Sequence, residues 1–246
     1  MNCYNCSEYL NAAIDSVYLQ TYTNWEIIFI DNGSSDCSYK IADQYDSKLS
    51  IYRIENNIPL YEARNYALSK CNGEYIAFLD CDDLWVYCKL YEQVNVVNKG
   101  ACIVYTGYDL IDGNNKKIGE FSNNLPNGKI TNSLLLRNSI SIGSILIKSN
   151  ILNRYKFNPY YELIGDFELW IRLSLEYNFN SIPLVLEHSR RHEFSTSNRL
   201  KDRWIKESRF FYIEMLQKGF AFAFKHPSLF FYIVKNGIRG LLRAIE

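Results

Sequence analysis

The sequence predicts an α/β domain: a doubly wound sheet with a ligand site at its carboxyl edge, followed by a helical extension. Two observations carry this. Over the first hundred residues, short β-rich runs alternate with helix-period segments, and polar residues gather just after the runs. The stretch Gly73–Trp85 (Gly-Glu-Tyr-Ile-Ala-Phe-Leu-Asp-Cys-Asp-Asp-Leu-Trp) also breaks from a buried strand, Tyr75–Leu79, into Asp80, Asp82 and Asp83. Carboxylates packed that densely repel one another and are costly to desolvate, so they call for a cation. A hard divalent ion such as Mg²⁺ or Mn²⁺ meets that need, taking one or two protein carboxylates and completing its shell from substrate phosphates. Open α/β sheets place ligands just beyond the carboxyl ends of their strands, which is where these aspartates stand.

Taken in order, Asn5–Gln20 reads as a helix. Asn5 and Glu8 form a candidate capping box, and Leu10, Ala13, Ile14 and Val17 share one face. Trp25–Ile30 reads as a strand ending in the polar turn Asp31-Asn32-Gly33-Ser34-Ser35-Asp36. A helix over Ser38–Tyr45, a strand over Ser50–Ile54 and a helix over Tyr61–Lys70, carrying Arg64 and Asn65, lead to the aspartate stretch. After Trp85 the pattern gives a helix to about Asn98, a strand over Cys102–Tyr108 and Gly/Asn/Asp-rich turns from Asp109 to Asn138. Gly143–Lys148 reads as a strand, Gly165-Asp166 opens a helix with Leu169, Leu173 and Tyr177 on one stripe, and Ser181–Glu187 is a further strand. Neither a dinucleotide-binding glycine fingerprint nor a P-loop is present.

The chain has 246 residues, 48% of them hydrophobic, with 27 Lys/Arg against 27 Asp/Glu, a balance that excludes a generally basic nucleic-acid binder. Locally the balance is broken. From Arg199 onward ten Lys/Arg face four Asp/Glu, a net of +6, leaving seventeen against twenty-three upstream. Lys235, Arg239 and Arg243 recur at helical spacing beside a broad apolar face, the pattern of a helix lying on an anionic membrane surface; a core-facing or dimerising helix would read the same way. Seven cysteines without regular spacing read as reduced thiols. Cys3 and Cys6 make a Cys-x-x-Cys with no second pair to complete a metal site. With no leader and no apolar run near the ~20 residues that span a bilayer, the expected location is the cytoplasm, peripheral at the inner face of a membrane.

From Asn2 to Ser197 these motifs together resemble the inverting glycosyltransferases of family 2, which have the GT-A fold. Tyr4-Asn5, Tyr9-Leu10 and Gln20-Thr21-Tyr22 with Trp25-Glu26 look like the family's opening segment, and Asp31 to Asp36 like its nucleotide-base turn. Ala63-Arg64-Asn65 and Gly73–Trp85, with Lys89-Leu90 and Gln93, match the stretch around its metal motif. Gly165-Asp166 before Leu169-Trp170-Ile171-Arg172 resembles the segment that carries its base, and Arg190-Arg191-His192 with Ser195 and Ser197 its late Arg-x-His.

The resemblance implies metal-dependent transfer of a sugar from a nucleotide-sugar donor to a glycan or lipid-linked saccharide, in cell-surface polysaccharide biosynthesis. Asp166 would be the catalytic base. Asp82, with Asp80 and His192, would hold the metal. Tyr4, Asp31, Asn32, Arg64, Asn65, Asp80 and Arg190 would contact the donor. A donor-binding half over residues 1–108, an acceptor half over 109–198 and the extension over 199–246 complete the expected organisation. Two departures stand out: Asn32 occupies a position where many members have Asp, and the family's first buried strand would precede Asn2, where the sequence has only Met1. Two other readings are a nucleotidyltransferase, against which Asp166 and the late Arg-x-His argue, and an inactive relative lacking that strand that at most binds nucleotide.

Overall fold

The computed structural model describes residues 1–193, 195 and 200–217. A parallel three-stranded sheet comes first: β1 (Asn2–Cys3), β2 (Ile27–Asn32) and β3 (Leu49–Ile54), in that order. The sheet therefore holds a two-residue first strand, Asn2 opposite Ile30 and Cys3 opposite Asp31, with the Met1 carbonyl accepting the Ile30 N–H at 3.0 Å. Every residue of β2 is buried, as a parallel strand covered on both faces requires. Its alternation sorts the two layers. Ile27 and Phe29 pack with Leu10, Ile14 and Val17 of α1 (Leu10–Tyr18), while Ile28 and Ile30 face Ala67 of α3 (Leu60–Leu68). Between them in chain order comes α2 (Ser38–Ala42), which packs on the α1 side with Ala42 in the same cluster.

The second sheet is mixed. It contains β4 (Tyr75–Ala77), β5 (Leu84–Trp85), β6 (Ile103–Ile111), β7 (Lys117–Phe121), β8 (Ile145–Lys148) and β9 (Asn180–Arg190), in the order β4-β8-β6-β9-β5 with β7 paired to β6. β6 runs antiparallel to β7 and β8 and parallel to β9. Around it stand α4 (Lys89–Val97), α5 (Thr131–Leu136), α6 (Ser149–Arg154), α7 (Gly165–Glu176) and α8 (Lys201–Gln217). The larger core lies under this sheet, where Trp170, Phe157, Tyr161 and Phe211 are all nearly or fully buried.

Three local expectations are corrected. Asn5 makes no capping box: it sits in the left-handed region (φ 54°), and its Oδ1 accepts the Ser35 N–H at 2.8 Å, so α1 starts only at Leu10. Asp109–Asn138 is not all turns, because it contains β7 and α5. The helix expected right after Trp85 begins only at Lys89, because Leu84–Trp85 first pairs as a strand with β9. The segment holding Lys235, Arg239 and Arg243 lies outside the described residues, as does Ser197.

Candidate active site

After β4 the chain turns through Asp80, Cys81, Asp82 and Asp83 and enters β5. Antiparallel pairing of β5 with β9, Leu84 opposite His188, brings Arg190–His192 back over this turn. The Arg190 N–H donates to Asp83 Oδ1 at 2.7 Å, Arg190 Nε donates to the Asp82 carbonyl at 2.7 Å, and Nη1 donates to the Asp112 carbonyl at 3.0 Å. The guanidinium covers the Tyr9 ring at 4.5 Å. His192 Nε2 lies 3.0 Å from Asp82 Oδ2, its ring 5.1 Å from that of Tyr9. Asp83 is thus committed to the β9 backbone, and Cys88 stands at the start of α4.

Asp80 is met from α3, where Arg64 Nη2 donates to its Oδ1 at 2.6 Å. Arg64 is only 4% exposed and lies over the rings of Tyr61 (5.2 Å) and Phe157 (5.9 Å). The Tyr61 hydroxyl lies 3.1 Å from the Leu163 carbonyl and 3.3 Å from Asp166 Oδ1, and donates toward both. Asp166 Oδ1 also accepts the Phe167 N–H at 2.7 Å, in the first turn of α7. A chain of contacts Asp80–Arg64–Tyr61–Asp166 therefore joins the aspartate turn to the proposed base.

Residue 165 sets how closely this chain can pack. A Cβ there would stand 2.5 Å from the Tyr61 ring, so only glycine admits the ring at this distance. Gly165→Ala is expected to push Tyr61 off Asp166 and to lower the melting temperature, which a thermal melt measures.

All four aspartates, 80, 82, 83 and 166, line one cleft of about 800 Å³, together with Tyr4, Arg64, Arg190 and His192. Burial pushes the Asp166 carboxyl above the ordinary carboxylate range, opposed by Arg64. Burial and then the Asp80 charge push Asp82 upward, opposed by His192. Three sequence candidates stand outside the cleft wall and tie backbone together. Asp31 accepts the Ser34 N–H at 3.0 Å and lies 3.3 Å from Arg53 Nε. Asn32 exchanges two bonds with Ile58, at 2.8 and 3.0 Å, and Asn65 does the same with Phe157.

Sequence reasoning gave no site role to Tyr9, Tyr61 or Glu207. The first two carry only the diffuse signal of an aromatic near a charged residue. Glu207 carries none: from α8 its carboxylate accepts the N–H groups of Glu162, Leu163 and Ile164 at 2.8, 3.0 and 3.2 Å, which fixes the approach to Asp166. Glu207→Ala strips these three donors, of which Ile164 is buried, of their acceptor and is expected to cost about 2–4 kcal/mol in a urea melt.

The donor set fits a divalent cation. Asp82 Oδ2 and His192 Nε2 face each other at 3.0 Å, Asp80 keeps one oxygen clear of its Arg64 contact, and the aspartates crowd like charge into one place. Asp80, Asp82 and His192 are not gathered into a closed cage, since among the described residues only one other trio brings its ligand atoms within 4.8 Å. An open set of this kind leaves most of the shell to phosphate and water, as suits Mg²⁺ or Mn²⁺.

The sequence model of the family described as Glycosyl transferase family 2 matches residues 1–158. A UDP-Glc:alpha-D-GlcNAc-diphosphoundecaprenol beta-1,3-glucosyltransferase, WfgD of Escherichia coli, is 34% identical over 185 residues, covering 74% of this chain and 71% of that protein. The putative teichuronic acid biosynthesis glycosyltransferase TuaG of Bacillus subtilis is 34% identical over 122 residues, 48% of each chain. Among solved structures, S. aureus TarS 1-349 in complex with UDP-GlcNAc superposes with a TM-score of 0.67 at 17% identity, covering 87% of this chain and 65% of that one. An uncharacterised glycosyltransferase of Rickettsia felis is matched over only 35% of its length, so the chain spans less than two thirds of several of its relatives. The TarS likeness shows the GT-A architecture, with its mixed sheet and cleft.

Proposed function

The chain belongs to glycosyl transferase family 2, and on that premise we propose that it transfers a sugar, with inversion, from a nucleotide-sugar donor to a glycan or lipid-linked saccharide in cell-surface polysaccharide biosynthesis. The observation that carries this is one cleft lined by both a half-buried carboxylate at a helix start, Asp166, and the Asp80–Asp83 turn with His192. Residues 1–108 supply the donor side and 109–198 the acceptor side.

Asp166 accepts the proton of the acceptor hydroxyl as that oxygen attacks the anomeric carbon, while the bond from that carbon to the diphosphate breaks on the opposite face. Asp166 emerges as the carboxylic acid, the sugar is inverted and the nucleoside diphosphate departs. Tyr61 orients the carboxylate from one side and the Phe167 N–H from the other. A divalent cation held by Asp82 with His192, and by the clear oxygen of Asp80, would act as a Lewis acid toward the departing diphosphate. Arg64 and Arg190 are both buried and held by other partners, so they serve the diphosphate chiefly by fixing the turn; among the described residues, exposed Arg137 and Arg191 on the cleft wall are cations with room to reach it.

The test is calorimetry and thermal shift with Mn²⁺ across UDP-, GDP- and dTDP-sugars; WfgD's name makes UDP-glucose the first probe. Metal-dependent binding of one donor class, with transfer to a lipid-linked saccharide, is the expected result. Binding of no nucleotide sugar, with or without Mn²⁺, would overturn the proposal.

The C-terminal part is proposed to bring the enzyme to its acceptor. Among the described residues no helix is long and apolar enough to cross a membrane. The +6 excess beyond residue 198 instead suits an anionic surface, each basic residue contributing about 1 kcal/mol. Reversing Lys235, Arg239 and Arg243 to Glu is expected to release the protein from anionic vesicles in a sedimentation assay, and salt is expected to weaken wild-type binding. Equal sedimentation of both forms would favour a packing or dimerising helix.

A further inference from the structure

The fold completes a feature that the sequence left open. Cys3 and Cys6 lack a partner pair along the chain, but the aspartate turn brings Cys81 to them, and the three sulfurs all lie within 4.8 Å of one another. Each is placed by a different piece of backbone. Cys3 ends β1, opposite Asp31. The left-handed Asn5 folds the loop back, so that the Cys6 N–H donates to Ser38 Oγ at 3.0 Å. Cys81 stands between Asp80 and Asp82, its thiol 3.2 Å from the Asn2 carbonyl.

We propose that Cys3, Cys6 and Cys81 form a three-thiolate site for a soft, thiophilic cation of the Zn²⁺ or Cd²⁺ class, which clasps the aspartate turn to the end of β1. Thiolates about 2.3 Å from a shared zinc stand about 4 Å apart, so the trio needs a contraction of less than about 1 Å per pair. Cys3 and Cys81 are 1% and 2% exposed, which gives the dry surroundings that strengthen metal–sulfur bonds, and Cys6 with Cys81 borders the cleft, which gives an entry path. Ser34 Oγ, 3.9 Å from Cys3 Sγ, stands near enough to complete the shell. On binding, each sulfur that still carries a proton exchanges its S–H bond for an S–metal bond and releases that proton to solvent, and a sulfur already ionised binds directly. Ligand softness keeps the two neighbouring sites apart: sulfur selects the soft cation, while the Asp82 oxygens suit Mg²⁺ or Mn²⁺.

The experiment titrates Cd²⁺ into the full chain, reduced and metal-free, with Mg²⁺ in excess. The expected result is one Cd²⁺ per chain, a thiolate-to-metal charge-transfer band, and protection of three of the seven thiols from a thiol reagent. Cys81→Ser and Cys3→Ser should lose the band and bind at least about 100-fold more weakly, since changes to outer-shell partners alone cost about 10–100-fold. If the buried variants do not fold, Cys6→Ser, at a partly exposed position, gives the same readout. Cys37→Ser/Cys88→Ser should keep the band, and so should Asp82→Ala, which separates this site from the donor's cation and makes the outcome independent of the transferase reading. A band unchanged in Cys6→Ser or Cys81→Ser, no band at all, or a disulfide within the trio that forms despite Cd²⁺ would overturn the proposal, the last assigning the thiols to redox chemistry instead.

Discussion

Asp82→Ala is expected to abolish transfer and metal-dependent nucleotide binding while leaving the fold intact. The turn does not depend on the lost carboxylate. Arg190 grips the Asp82 carbonyl rather than its side chain, the Arg190 N–H is held by Asp83, and the Cys81 thiol reaches the Asn2 carbonyl. Without metal, the wild-type turn carries a carboxylate that burial and Asp80 both disfavour as an anion. Removing it therefore costs little, and the variant should melt at or slightly above the wild-type temperature in chelator.

With Mn²⁺ and nucleotide the order reverses. Ligand at about 100 times its Kd stabilises the native state by about 2.7 kcal/mol, a gain that wild type shows and Asp82→Ala lacks. Asp82→Asn is the informative companion, since it keeps a polar partner for His192 but loses the charge. Transfer by Asp82→Ala near the original rate would remove Asp82 from the site.

What the sequence revealed and what it hid divide along a physical line. Local period and turn chemistry made the alternating elements legible, and the expected site residues that stand by a local signal, Asp80 to Asp83 after their strand and Asp166 at its helix start, line one cleft in the structure. Element ends moved by a few residues because tertiary pairing sets them. β2 runs to Asn32 because β3 pairs with it that far, with Asn32 opposite Ile54. The capping box failed because Asn5 spends its side chain on a turn thirty residues away, a choice that only the packed loop reveals. β7 is short, charged and paired only with β6, and α5 is an apolar run with no helical period, so neither had a local signature. The same reason hid Glu207 and the third thiol. Their partners come from another part of the chain, and no spacing rule connects Cys6 to Cys81 or Ile164 to Glu207.

Asp166→Asn is expected to lower turnover by about 10²-fold or more while donor affinity stays within a few-fold. The amide oxygen can still accept the Phe167 N–H and the Tyr61 hydroxyl, so the start of α7 and the Tyr61–Arg64–Asp80 contacts keep their places. What is lost is the capacity to take a proton. The wild-type pH profile carries the complementary signature. Burial raises the Asp166 carboxyl above its ordinary value near 4, and the base must be ionised to work. Turnover should therefore fall as pH drops through that raised pKa, giving an acid limb at higher pH than a solvated aspartate would give, and the limb should vanish from the residual activity of Asp166→Asn. Tyr61→Phe removes one hydrogen bond to the ionised form and should move the limb further up. A collapse of donor affinity with turnover at saturation unchanged would instead make Asp166 a binding residue, because loss of an interaction shared by ground and transition states raises KM and leaves kcat alone.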